Sequence, residues 1–153
     1  MNFTSRTGRP ANVLLAEDNE ADQRTVQRGL SKARLPMRLF LVEDGEACLD
    51  FLRHQGQYAD TTAFPRPDLL LLDINMPKLD GRAVLKQIRA DPILVALPVV
   101  ILTTSDQEQD ILISYKNGAN AFITKPVEPG RFMETVLKLE EFWFELAALP
   151  VSR

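Results

Sequence analysis

The stretch Leu69-Leu70-Leu71-Leu72-Asp73-Ile74-Asn75-Met76-Pro77 decides how the rest of the chain is read. Four consecutive leucines are far too short to cross a membrane. A fully apolar run of this length suits a central parallel strand covered on both faces. It ends abruptly in an aspartate, and Pro77 and Gly81 then punctuate a loop. The sequence therefore predicts a buried strand that delivers a carboxylate to a loop.

Outward from this run, short apolar segments alternate with amphipathic ones. Val13-Leu14-Leu15-Ala16 is predicted as the first strand, ending in Glu17-Asp18, with Asn19 as the cap of the next helix. That helix carries Val26, Leu30 and Ala33 at helical spacing. Leu39-Phe40-Leu41-Val42 is a second strand, followed by Glu43-Asp44-Gly45 and a helix with Ala47, Cys48, Phe51 and Leu52. Beyond the central loop, a helix with Val84, Leu85 and Ile88 stops before Pro92. Val99-Val100-Ile101-Leu102 is the fourth strand, ending in Thr103-Thr104-Ser105-Asp106. Ser105 or Asp106 caps a helix through Ile111, Leu112 and Tyr115, which Gly118 ends. Ala121-Phe122-Ile123 is the fifth strand, followed by Thr124-Lys125-Pro126, and a last helix is expected from Gly130 to Leu146. Five strands alternating with five helices predict an α/β fold with a parallel sheet in a single domain. Gln55 to Pro67 is longer than most connections and is expected to be an exposed loop.

Composition narrows the function. The chain has 153 residues, 45% of them apolar, which is enough for one core. A net charge of -3 lacks the basic footprint of a nucleic-acid binder. Cys48 is the sole cysteine, so no internal disulfide forms, as suits a reducing cytoplasm. No apolar run reaches membrane-spanning length, and Met1 to Pro10 is a polar tail without a signal-peptide core. His54 is the sole histidine, so a Ser-His-Asp triad or a zinc site would have to be built around it. It lies in a polar stretch at a helix end, where a solvated side chain is expected.

In open parallel sheets, ligands bind at the carboxyl ends of the strands. The predicted strands deliver Glu17 and Asp18, Asp73, Thr103 and Thr104, and Lys125 to that edge. Carboxylates pressed together repel, and a cluster of oxygens suits Mg²⁺. A hydroxyl and a lysine opposite them suit an anion. Metal, hydroxyl, lysine and a carboxylate nucleophile are the parts needed for phosphoryl transfer. Singly each has a plainer reading: an acidic pair often just faces a helix N-terminus, and Lys-Pro is often just a turn.

Taken together, Glu17-Asp18, Asp73 with Met76-Pro77 and Asp80-Gly81, Thr103, and Lys125-Pro126 resemble the receiver domains of response regulators. The resemblance runs from Asn12 to Leu139. It implies a flavodoxin-like, doubly wound sheet of five parallel strands in order 2-1-3-4-5. It also implies that a sensor histidine kinase phosphorylates Asp73. Glu17, Asp18, Asp73 and the backbone carbonyl of Asn75 would bind Mg²⁺, and Lys125 would pair with the phosphoryl oxygens. Thr103 and Phe122 would form the switch pair, and the peptide before Pro126 would be cis. Thr104 is bulkier than the small residue common there, which implies slower access to Asp73.

The expected organisation is a tail over 1–11, a receiver over 12–139 and an apolar helical extension over 140–153. The residues after Leu139 are too few for another domain, so a stand-alone protein is expected. Phe132, Val136, Leu139, Trp143 and Leu146 form one apolar stripe, and Met133, Leu137 and Phe144 a second beside it. With Phe142, this predicts that Phe142, Trp143 and Phe144 meet a second copy, giving a homodimer; the alternative is cover from Leu149-Pro150-Val151. The Phe-Trp-Phe ending and the long Gln55 to Pro67 segment resemble the response regulators that serve bacterial phytochromes. That implies a red-light-sensing kinase or phosphatase as partner.

Three rivals read differently. An aspartyl-phosphate phosphohydrolase needs a second Asp two residues after the nucleophile, and here that residue is Asn75. A silent binding module would leave Asp73, Thr103 and Lys125 unused. A nucleotide-binding flavodoxin-like protein needs a Gly-rich loop, where this chain has Glu17-Asp18-Asn19-Glu20.

Overall fold

A computed structural model describes residues 10–32, 37–103 and 115–125, with single positions at Ile111, Ile113, Arg131, Glu134, Leu137 and Lys138 besides. The strands are β1 (Ala11–Ala16), β2 (Met37–Val42), β3 (Leu69–Asp73), β4 (Val99–Thr103) and β5 (Ala121–Thr124). The helices are α1 (Glu20–Ser31), α2 (Gly45–Leu52) and α3 (Gly81–Ala90). All strand pairs are parallel, in the order β2-β1-β3-β4-β5. The flavodoxin-like order expected from the family resemblance is the order found.

The leucine run explains the layering. Side chains alternate across a strand, so Leu69 and Leu71 point to one face and Leu70 and Leu72 to the other. Leu69 and Leu71 join Val13, Leu15, Val100 and Leu102 beneath Val26 and Leu30 of α1. Leu70 and Leu72 join Leu14, Val99 and Ile101 against Phe51 and Leu52 of α2 and Val84, Leu85 and Ile88 of α3. All four leucines are buried, and each contributes about 2 kcal/mol of apolar transfer free energy. A strand covered on both faces cannot alternate polar and apolar residues, which is why the run is unbroken.

Three helices begin at the carboxyl edge of the sheet under a side-chain cap. Asn19 accepts from Asp22 N at 3.0 Å, Asp44 from Ala47 N at 2.8 Å, and Asp80 from Ala83 N at 2.9 Å. Each satisfies a donor that the first helical turn leaves open, typically worth about 1 kcal/mol. Gly118 adopts φ +97° and its N–H bonds Tyr115 O at 3.0 Å, as the helix stop predicted there requires.

Two regions depart from expectation. Gln55 to Pro67 is not a bare exposed loop. It contains a 3₁₀ turn (Gly56–Tyr58), and Tyr58 and Phe64 pack on the Phe51 ring at centroid distances of 5.1 and 5.8 Å. Both rings extend the core layer around Phe51, and their partial burial helps offset the ordering cost of the segment. His54 does end α2, but at φ +55° and half-buried, with its Nε2 shut off from solvent rather than solvated. Ala33, Thr104 to Asp106, the bond into Pro126, most of the last helix, and Phe142, Trp143 and Phe144 lie outside the described residues.

Candidate functional site

β1, β3 and β5 end at the same edge of the sheet, and side chains from those ends meet there. Lys125, just past β5, is buried between carboxylates. Its Nζ bonds Glu17 Oε1 and lies 2.9 Å from Asp22 Oδ2 and 3.5 Å from Asp73 Oδ2. Glu17, Asp18 and Asp73 bring a carboxylate oxygen each within 4.8 Å of one another. Glu17 and Asp73 are buried, and Asp18 opens to solvent.

Glu17 is tied down on both sides. Its Oε2 accepts from Asn19 N at 3.2 Å, and its carbonyl accepts from Gln23 Nε2 at 2.7 Å. Burial, together with the Asp73 carboxylate beside it, pushes the Glu17 carboxyl up to about 7, and Lys125 only partly offsets this. Burial also opposes the charge on Lys125. The Glu17, Asp73 and Asp22 carboxylates outweigh it and hold that ammonium above its ordinary value. The site thus carries more negative charge than its one lysine neutralises. A donor set made wholly of carboxylate oxygens fits a hard divalent cation, and softer metals want His or Cys ligands, which this cluster lacks.

The loop after β3 is folded back under the site. Gly81 N bonds Ile74 O at 2.8 Å, and a Cβ on Gly81 would collide with the Asp73 carbonyl oxygen. Only glycine permits that approach. Gly45 plays the same part for α2, whose start lies against the Leu79 carbonyl. Lys78 holds φ +67°, and its Nζ lies 3.6 Å from the Asp44 carboxylate.

Of the residues singled out by sequence, Glu17, Asp18, Asp73 and Lys125 converge. Asn75 is exposed, and its N–H points at Asp73 Oδ1 at 3.4 Å. Thr103 is wholly buried at the end of β4, and its carbonyl accepts from Lys125 N at 2.7 Å. Phe122 is half-buried against the core layer of α2 and α3, and its N–H donates to Tyr115 Oη at 3.2 Å. Asp22 and Gln23 escaped the sequence reading. The available signal was their position in the first turn and a half of α1, directly above the Glu17-Asp18 pair. Among the described residues, no helix is long and apolar enough to cross a membrane.

Comparison with known proteins agrees with this geometry. The model of the response regulator receiver domain matches residues 13–137. The response regulator Rcp1 of Synechocystis sp. is 41% identical over 143 residues, 94% of this chain and 95% of that protein. The crystal structure of the phosphorylated cyanobacterial phytochrome response regulator RcpA is 42% identical, with a TM-score of 0.88 over 93% of this chain and 99% of that one. The Mn²⁺-bound form of Rcp1 superposes with a TM-score of 0.87 at 42% identity, over 93% of this chain and all of that one. Sheet order, acidic cluster and a family match spanning most of its length agree: the chain belongs to the response regulator receiver family, and is homologous to phytochrome response regulators of two-component signalling.

Proposed function

We propose that Asp73 accepts a phosphoryl group from a sensor histidine kinase and that the added charge resets the surface of the domain. The observation that carries this reading is the convergence of Asp73 with Lys125 and two further carboxylates at the sheet edge. Asp73 is the nucleophile. Lys125 neutralises the phosphoryl oxygens, from a starting distance of 3.5 Å to Asp73 Oδ2. Positioning and charge neutralisation, rather than acid–base relay, supply the catalysis.

Glu17, Asp18, Asp73 and the backbone carbonyl of Asn75 would hold Mg²⁺. Held there, the ion would supply neutralisation of the negative charge that phosphoryl transfer builds up. The Mn²⁺-bound form of its relative Rcp1 supports a divalent ion as the cofactor. Thr103 and Phe122 are the switch pair, reporting phosphorylation of Asp73 from β4 to β5. The protein is a signalling switch that turns over only its own phosphoryl group.

The phytochrome response regulators among its relatives support a red-light-sensing kinase as partner, and the single cysteine suits a reducing cytoplasm as the place where they meet. The domain assignment remains a receiver over 12–139, with an extension over 140–153 through which Phe142, Trp143 and Phe144 contact a second copy. Incubation with acetyl phosphate and Mg²⁺, followed by intact mass, tests the chemistry. A Mg²⁺-dependent adduct on the wild type that Asp73→Asn lacks supports it. No adduct, together with no binding of beryllofluoride, overturns it in favour of a binding module with a silent site.

A further inference from the structure

The Lys125 ammonium is held from two sides. Glu17 grips it from the end of β1, and Asp22 reaches down from the first turn of α1 to 2.9 Å. Asp73 stands farther away, at 3.5 Å. Asp22 is not one of the three carboxylates of the metal cluster. Its place in the helix does not depend on its side chain, because its backbone N–H is taken by the Asn19 cap. Its carboxylate is therefore free to act on the lysine alone.

We propose that Asp22 is a positioning residue that brakes phosphoryl transfer, by holding Lys125 back from Asp73 and by adding negative charge where the phosphoryl group arrives. The proposal rests on the reading of Asp73 as phosphoacceptor and Lys125 as its charge partner. With acetyl phosphate, an Asp73 carboxylate oxygen bonds to phosphorus. The bond from phosphorus to the acetate oxygen breaks, and its electron pair leaves with acetate; no net proton is taken up or released. The product is a dianion on Asp73 beside Lys125. An ammonium has three N–H donors, and coulombic attraction falls with distance. In the unphosphorylated protein Glu17 and Asp22 take the short contacts. Lys125 must slacken its hold on Asp22 to reach the phosphoryl oxygens, and that exchange slows the step.

The test is the initial rate of adduct formation with acetyl phosphate and Mg²⁺ in the full chain, with melting followed in parallel. Asp22→Asn is expected to react about fivefold faster than wild type, the effect of one partly exposed ion pair. Asp22→Ser, which keeps a polar first-turn residue, shows the same gain. Asp22→Glu restores the charge and returns the rate to near wild type. Glu20→Gln removes another acid from the same turn, one that faces Arg24 at 3.9 Å and not Lys125, and leaves the rate unchanged. A rate unchanged or lowered in both Asp22→Asn and Asp22→Ser, with a reactive wild type, overturns the brake alone. A wild type that forms no adduct overturns the underlying reading and the brake with it.

Discussion

At the amino end of β3, Asp68 is buried and matched. Its Oδ2 accepts from Asn12 N at 2.8 Å, and its own N–H donates to Asn12 O at 2.7 Å, clipping β3 to β1. Nearby, Arg89 donates to the carbonyls of Gly118 at 2.8 Å, Val95 at 3.0 Å and Leu97 at 2.7 Å, and to Asn120 Oδ1 at 3.0 Å. At the other end of the same strand, Asp73 shares one lysine with Glu17 and Asp22, and a fourth acid, Asp18, stands beside them. Both ends bury charged side chains. The amino end spends them on geometry, with Asp68 and Arg89 each matched to backbone partners. The carboxyl end leaves negative charge in surplus, and surplus charge is what a cation and a phosphoryl group can use.

That contrast predicts opposite consequences for similar substitutions. The largest effect is on chemistry. Asp73→Asn removes the adduct completely, while its metal-free melting temperature holds or rises, because the change relieves repulsion of Glu17. Calorimetry without divalent ions checks this, and a clear loss of stability would place Asp73 among the structural groups. Gly81→Ala comes next. The added Cβ meets the Asp73 carbonyl, and the substitution is expected to cost about 3 kcal/mol in denaturant unfolding and to slow adduct formation as Asp73 shifts. Asp68→Ala should lower stability by about 2 kcal/mol, since it orphans Asn12 N, yet leave the phosphorylation rate of the folded protein unchanged.

The smallest effect lies in the core, at Cys48. Burial pushes its thiol up to about 12, helped by the Asp44 carboxylate, against 9.0 when exposed. A raised thiol holds its proton in the folded state, so its contribution to stability is whole below pH 9 and declines as pH rises from 9 towards 12. Folded protein should resist thiol alkylation at mildly alkaline pH and react once unfolded. The alkaline decline in stability should be shallower in Cys48→Ala. Rapid alkylation of the native protein would show that this side of α2 opens readily.

The same two ends differ in how far the sequence reveals them. The strand runs were plain because β3 and β4 are covered on both faces and admit no polar residue before their last, Asp73 and Thr103. The converging set, Glu17, Asp18, Asp73 and Lys125, was legible because a parallel sheet sends every strand end to one edge. The extra reach of β1 to Ala11 was not, since Asn12 looks polar until its backbone is paired with Asp68. Asp22 was invisible for a similar reason. A first-turn acid looks like a partner of the helix dipole, and only the return of Lys125 from β5 gives it another task. The packing of Tyr58 and Phe64 on Phe51 was hidden inside a polar segment, where two aromatics show no period.

Peptide mapping after acid quench, with acetyl phosphate and Mg²⁺ in one arm and a chelator in the other, tests the central claim most directly. The account predicts a phosphoryl group on the peptide containing Asp73 and nowhere else, present with Mg²⁺ and absent with the chelator. A phosphoryl group on another acid, or one that forms equally well without a divalent ion, would contradict it.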